Sequence, residues 1–173
     1  MKKVILVAVM VLTGLSGYAQ KENTGMKFAY LSIDSVMRSM EEYAQLQQDM
    51  AAMRQQYEAE MKRVEDDFNK KYEEFLDGQK SFPQTILQKR QSELQEMLDK
   101  NIAFKKEGLQ MLKDTEKTQK DVILMMIEMT VKTIGMQRGY AFILNTDTNA
   151  TPWLNPAMGE DITAAVKEML NEK

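Results

Sequence analysis

The chain of 173 residues has no cysteine and no histidine, only three prolines and eight glycines, and a single tryptophan. Without cysteine it can form no disulfide and offers no thiolate as nucleophile or zinc ligand. Without histidine it lacks the usual general base and the commonest metal ligand. No glycine-rich phosphate loop is present. The many carboxylates recur at helical spacing beside Lys and Arg, as on solvated helix faces. Nothing here supports catalysis, so no enzyme activity, cofactor or metal is expected. The formal charge of −3 argues against nucleic acid as a partner, because phosphate binding needs a basic face.

Long apolar runs are scarce too. The longest, Val4–Leu15, is short of the roughly 20 residues that span a bilayer. It follows Lys2 and Lys3 and precedes Gly17-Tyr18-Ala19, which puts small residues where signal peptidase reads them. Residues 1–19 therefore read as a signal peptide cleaved after Ala19, with an exported mature chain starting at Gln20. Losing Lys2 and Lys3 leaves 21 basic against 26 acidic residues, a net charge of −5.

What is abundant is helical pattern. Lys27–Ile33 reads as a strand, with Phe28 and Tyr30 on one face and Leu31 and Ile33 on the other. Asp34 is placed to cap a helix running from Ser35 to about Asp77 without Pro or Gly. Within it Met50, Met53, Tyr57, Met61, Val64, Phe68, Tyr72 and Phe75 recur in steps of three and four that repeat every 11 residues. That period gives a nearly straight or slightly right-handed seam. Gly78 ends this helix. Ser81 and Pro83 open a second, from Gln84 to Arg138, with a less regular apolar pattern and Gly139 as its stop. Acid-before-base pairs four apart lace both helices: Glu58 with Lys62, Asp66 with Lys70, Asp67 with Lys71, Glu96 with Lys100, Glu116 with Lys120 and Glu128 with Lys132. The short break predicts an antiparallel hairpin. Tyr140–Leu144 and Thr151–Leu154 read as strands, and Asp161 caps a last helix with Ile162, Ala165, Val166, Met169 and Leu170 in one stripe. The expected fold class is mainly α with a small β body. The body is residues 20–37 and 137–173, and the hairpin arm is residues 38–136 with its tip near 77–83. So thin a base predicts oligomerisation.

Lys27–Asp34 (KFAYLSID) runs into the long helix, and the return helix ends in Arg138–Leu144 (RGYAFIL). The turn Asn145–Ala150 (NTDTNA), the aromatic segment Pro152–Asn155 (PWLN) and the closing helix Asp161–Leu170 (DITAAVKEML) follow. In this order the chain resembles the Skp (OmpH-like) family of periplasmic outer-membrane-protein chaperones. The resemblance implies a homotrimer whose strands form a central body. It also implies arms enclosing a cavity that holds an unfolded outer-membrane β-barrel protein and releases it without ATP. The chain departs from the strongly basic arm tips of that family: Lys70–Lys100 carries six basic and six acidic residues. Whether it contacts a membrane is left open by the sequence.

Methionine is the informative excess, at 16 residues. Its flexible thioether suits a surface that must fit many partners, although a regular stripe also fills a helix seam. The candidate client-binding residues are Met50, Met53, Met61, Phe68, Met97, Met111 and Met126. The candidate oligomer-body residues are Phe28, Tyr30, Leu31, Ile33, Phe142, Leu144 and Trp153. Gly108, inside the second helix, reads as a hinge or as a tolerated glycine. The competing functional reading is a structural coiled-coil envelope protein, or an adaptor for one folded partner, favoured by the regular seam and the neutral tip.

Overall fold

A computed structural model describes residues 26–172. The expected signal peptide, residues 1–19, and its expected cleavage after Ala19 lie outside the described residues. In chain order the elements are β1 (Phe28–Leu31), α1 (Ile33–Met37), α2 (Glu41–Gly78), α3 (Gln84–Arg138), β2 (Phe142–Asn145), β3 (Glu160–Asp161) and α4 (Thr163–Asn171). The expected class holds: two long antiparallel helices leave a small β-containing base. At about 1.5 Å per residue, α2 and α3 reach roughly 55 and 80 Å.

The first strand is shorter than expected, because Ser32 starts a helix. Its Oγ accepts the Ser35 N–H at 3.0 Å, so Ser32 rather than Asp34 is the cap. Ile33 is thereby the first residue of α1 and not a strand residue. Asp34, in the first turn, instead takes Arg38 Nε at 2.9 Å. Asp147, from the turn after β2, closes the junction by accepting Ser32 Oγ–H and the Asp34 N–H, each at 2.7 Å.

The single helix expected from Ser35 is two. Ser39 donates its Oγ–H to the Val36 carbonyl at 2.7 Å, and the N–H groups of Ser39 and Met40 bond three residues back. The hydroxyl competes for a helical carbonyl and the last turn tightens. Met40 then goes extended (φ −84, ψ 140) with its side chain buried. This kink seats Val36, Met37 and Met40 together in the base and aims α2 outward.

The sheet has the order β2-β1-β3 and is wholly parallel. Parallel neighbours need a long crossover. Between β1 and β2 that crossover is the entire hairpin. Ala29 and Leu31 face α1, α3 and α4, where Val36, Ile127, Ile134, Ile162 and Val166 complete a buried core. The strand expected at Thr151–Leu154 does not form. Pro152 and Pro156 both lack an N–H for a ladder, and Glu160–Asp161 takes the free edge of β1 instead, in register with Ala29 and Tyr30.

Two further caps differ in detail from expectation. Pro83, not Ser81, precedes α3 as its cap, with no side-chain bond. Ser81 turns back to donate its Oγ–H to the Gly78 carbonyl at 2.8 Å. Asp161 lies in β3 and accepts the Thr163 N–H at 2.9 Å, while Ile162 holds the cap position of α4. The stop at Gly139 is as expected: φ is +68, in the left-handed region that favours glycine.

Candidate functional site

The hairpin is one seam read from two sides. On α2 the residues facing inward are Leu46, Met50, Met53, Tyr57, Met61, Val64, Phe68 and Phe75, of which Leu46, Met50 and Phe75 are buried. Tyr72, expected in the seam, is exposed. On α3, Asn101, Leu112, Ile123 and Ile134 are spaced 11 apart and all face inward. So do Met97, Gly108 and Thr130, at spacings of 11 and 22. The second helix thus has the same period as the first. The sequence hid it because three seam places hold Asn, Gly and Thr. Each is accounted for. Asn101 Nδ2 donates to the Val64 carbonyl at 3.2 Å. Thr130, almost wholly buried, donates its Oγ–H to the Met126 carbonyl at 3.0 Å.

Gly108 is a socket. A Cβ there would run into the Tyr57 ring at Cε2 and Cζ, so the glycine makes room for the ring. The Tyr57 hydroxyl then reaches the Lys105 carbonyl at 2.8 Å, and the Phe104 ring lies 5.4 Å away, centroid to centroid.

The two flanks of the hairpin differ. On one, Arg54 pairs across the seam with Glu116, which also accepts Lys120 Nζ at 2.7 Å. Lys120 first, then Arg54, hold the Glu116 carboxyl below its ordinary range. On the other flank two grooves meet at Met53. One, of about 580 Å³, runs from Glu41 to Met53 along α2 and from Thr115 to Met126 along α3. The second, of about 470 Å³, continues past Tyr57, Phe104 and Met111. Of the six acid-base pairs expected on the helix surfaces, Glu96 with Lys100 and Glu116 with Lys120 form. Asp67 instead pairs with Arg63, which also holds Glu60. No ion pair joins the other three among the described residues.

The candidate residues separate by burial. Met50 is buried in the seam. Met53, Met61, Phe68, Met97 and Met126 are half-buried along it, and Met111 is open. Toward the base, α3 leaves four more apolar residues open that are not among these candidates: Val122, Met125, Met129 (64% exposed) and Met136 (70% exposed). The signal was there. Met111 and Val122 are 11 apart, as are Met125 and Met136, so a second stripe shares the seam's period on a different face. Leu98, Ile102 and Leu109 are also open further out.

At the base, Leu31 belongs to the chain's own core, and Ile33 packs against it. Phe28 and Phe142 stack at 5.4 Å and 12°. With Tyr30 and Leu144 they form the sheet face turned away from the helices. Trp153, expected in a strand, lies in irregular backbone between β2 and β3 and is 77% exposed. Arg138 donates to Glu160 at 2.6 Å, and Lys27 lies 4.8 Å from the centre of the Tyr140 ring. The Tyr140 hydroxyl is buried with no partner at hydrogen-bonding geometry, and burial raises its pKa. At the tip, Phe82 covers Gly78 and Arg90 stands 5.7 Å from the Phe82 ring centre.

Among the described residues no three His, Cys, Asp or Glu side chains are grouped to hold a metal, and no helix is long and apolar enough to cross a membrane. Comparison with known proteins matches residues 27–170 to a family model described as outer membrane protein (OmpH-like). No curated protein matches by sequence. A crystal structure of a candidate outer membrane chaperone (OmpH-like) from Caulobacter crescentus CB15 is similar in fold. Its TM-score is 0.68 at 18% identity, over 84% of this chain and 83% of that one.

Proposed function

The chain belongs to the OmpH-like outer membrane protein family, and from that premise we propose that it is an ATP-independent holdase chaperone of the periplasm. Its clients are unfolded outer-membrane β-barrel proteins, held between the arms of a homotrimer. The observation that carries this reading is the row of open methionines on α3, Met111, Met125, Met129 and Met136. Soluble proteins rarely leave such a surface without a use for it. Thioether side chains adapt to many sequences without a fixed shape.

The assembly reading rests on the base. Its sheet has helices on one face only, and Phe28, Tyr30, Phe142 and Leu144 lie on the other, while Trp153 stands open between β2 and β3. Copies of the same face would cover them. The periplasmic reading rests on Met1–Ala19 as a cleaved signal.

The test mixes mature protein from Gln20 with a urea-unfolded outer-membrane β-barrel protein and follows turbidity after dilution. A several-fold excess of trimer should suppress aggregation. Unchanged turbidity would sink the chaperone reading. A single folded partner recovered at fixed stoichiometry, with no affinity for unfolded chains, would support the adaptor instead. That alternative draws on the regular seam and the neutral tip.

A further inference from the structure

The two grooves that meet at Met53 share a chemistry. Leu46, Met50 and Ile123 form the floor of the first, and Met53 and Met126 its walls. The second adds Tyr57, Phe104 and Met111. Glu41, Glu42, Asp49 and Glu107 edge the pair, and no Lys or Arg lines either groove. None of these four carboxylates is in an ion pair among the described residues; Asp49 takes only the neutral Gln45 amide, at 2.8 Å. Glu41 and Glu42 stand in the first turn of α2, where the helix dipole favours them. That account does not reach Asp49 or Glu107. The opposite flank, by contrast, is neutralised by Arg54, Lys113 and Lys120 beside Glu116.

Resting on the chaperone reading, we infer that this flank docks a segment of the unfolded client that is both basic and apolar. Charge complementarity selects the occupant. An acidic edge with no internal counter-ion attracts Lys and Arg, and the pliable methionine floor takes whatever apolar side chains lie between them. The stretch from Glu41 to Tyr57 is about 24 Å long, room for roughly seven residues of extended chain. The arm thus sorts client segments by charge.

The test uses the full mature protein and two fluorescein-labelled peptides of about twelve residues. Both alternate Leu and Phe with a charged residue, Lys in one and Glu in the other. Fluorescence anisotropy at low salt should show the Lys peptide bound about tenfold more tightly, as a few partly exposed charge pairs supply. The gap should narrow in about 0.5 M NaCl. The triple change Glu42→Gln, Asp49→Asn, Glu107→Gln should close most of the gap, with circular dichroism to show that the helices persist. Glu58→Gln, on the other flank, should leave it intact. If the triple variant loses helix, Asp49→Asn alone and the salt titration of the unchanged protein decide. Equal affinity for the two peptides overturns the inference, and so does a gap that survives the triple change. Displacement of the Lys peptide as the protein's own concentration rises also overturns it, because a second copy then fills the groove. Suppression of barrel-protein aggregation, run alongside, separates the two proposals. If suppression persists without charge preference, only the docking inference fails.

Discussion

Among single residues, the contact between Gly108 and Tyr57 decides most. A glycine inside a helix costs about 1 kcal/mol relative to alanine, so Gly108→Ala should stabilise if the site were open. With Tyr57 in place the new methyl collides with the ring, and urea denaturation should show a loss of about 1–3 kcal/mol. In a Tyr57→Ala background the same change should instead gain up to about 1 kcal/mol. A loss in both backgrounds would mean that the ring is not what the glycine accommodates. Glu116 gives a second prediction. Its folded carboxyl is held low, so its stabilisation is present above the unfolded pKa, near 4.3, and fades as the pH falls through the lower folded value. Replacement with Gln should flatten the acid limb of the stability curve. With no histidine in the chain, the curve of the unchanged protein should be level between about pH 6 and 8. The seam of α2 was legible because apolar residues fill nearly every place in it. That of α3 was not, because Asn101, Gly108 and Thr130 keep the period without the hydrophobicity, each satisfied by a partner far away or one turn back.

Helix ends and strand edges were read less well than the elements themselves. Gly139 was legible, because the end of a long helix demands a residue tolerant of positive φ. Gly139→Ala should cost about 1–2 kcal/mol with no steric partner involved, since nothing lies within 4 Å of an added Cβ. A midpoint shift in urea with an unchanged slope would show it. The kink at Ser39 and Met40 was not legible, because Val36, Met37 and Met40 fit a helical stripe as well as they fit the base. The aromatic segment Thr151–Leu154 looked like a strand by composition. The sheet edge went to Glu160–Asp161, whose backbone can donate where Pro152 cannot. Register with β1 outweighed local hydrophobicity.

For the whole molecule, the exposed stripe and the buried seam can be separated by experiment. The triple replacement Met125→Gln, Met129→Gln, Met136→Gln should leave helical signal and unfolding midpoint within about 0.5 kcal/mol, because all three side chains are open. It should nevertheless weaken suppression of barrel-protein aggregation several-fold. Full suppression by the variant would move client contact elsewhere. The parallel pairing of Phe28 with Phe142 has a different kind of consequence. The strand made first has no neighbour until almost the whole chain is synthesised, whereas the helices on either side of Gly78 meet across a few residues. Zipping from that turn is cheap in loop entropy, and closing the sheet is not. Maturation should therefore run backwards along the molecule, from the far end of the limb toward the base. A chain cut short between Arg138 and Phe142 would carry both finished helices without the second strand that anchors them.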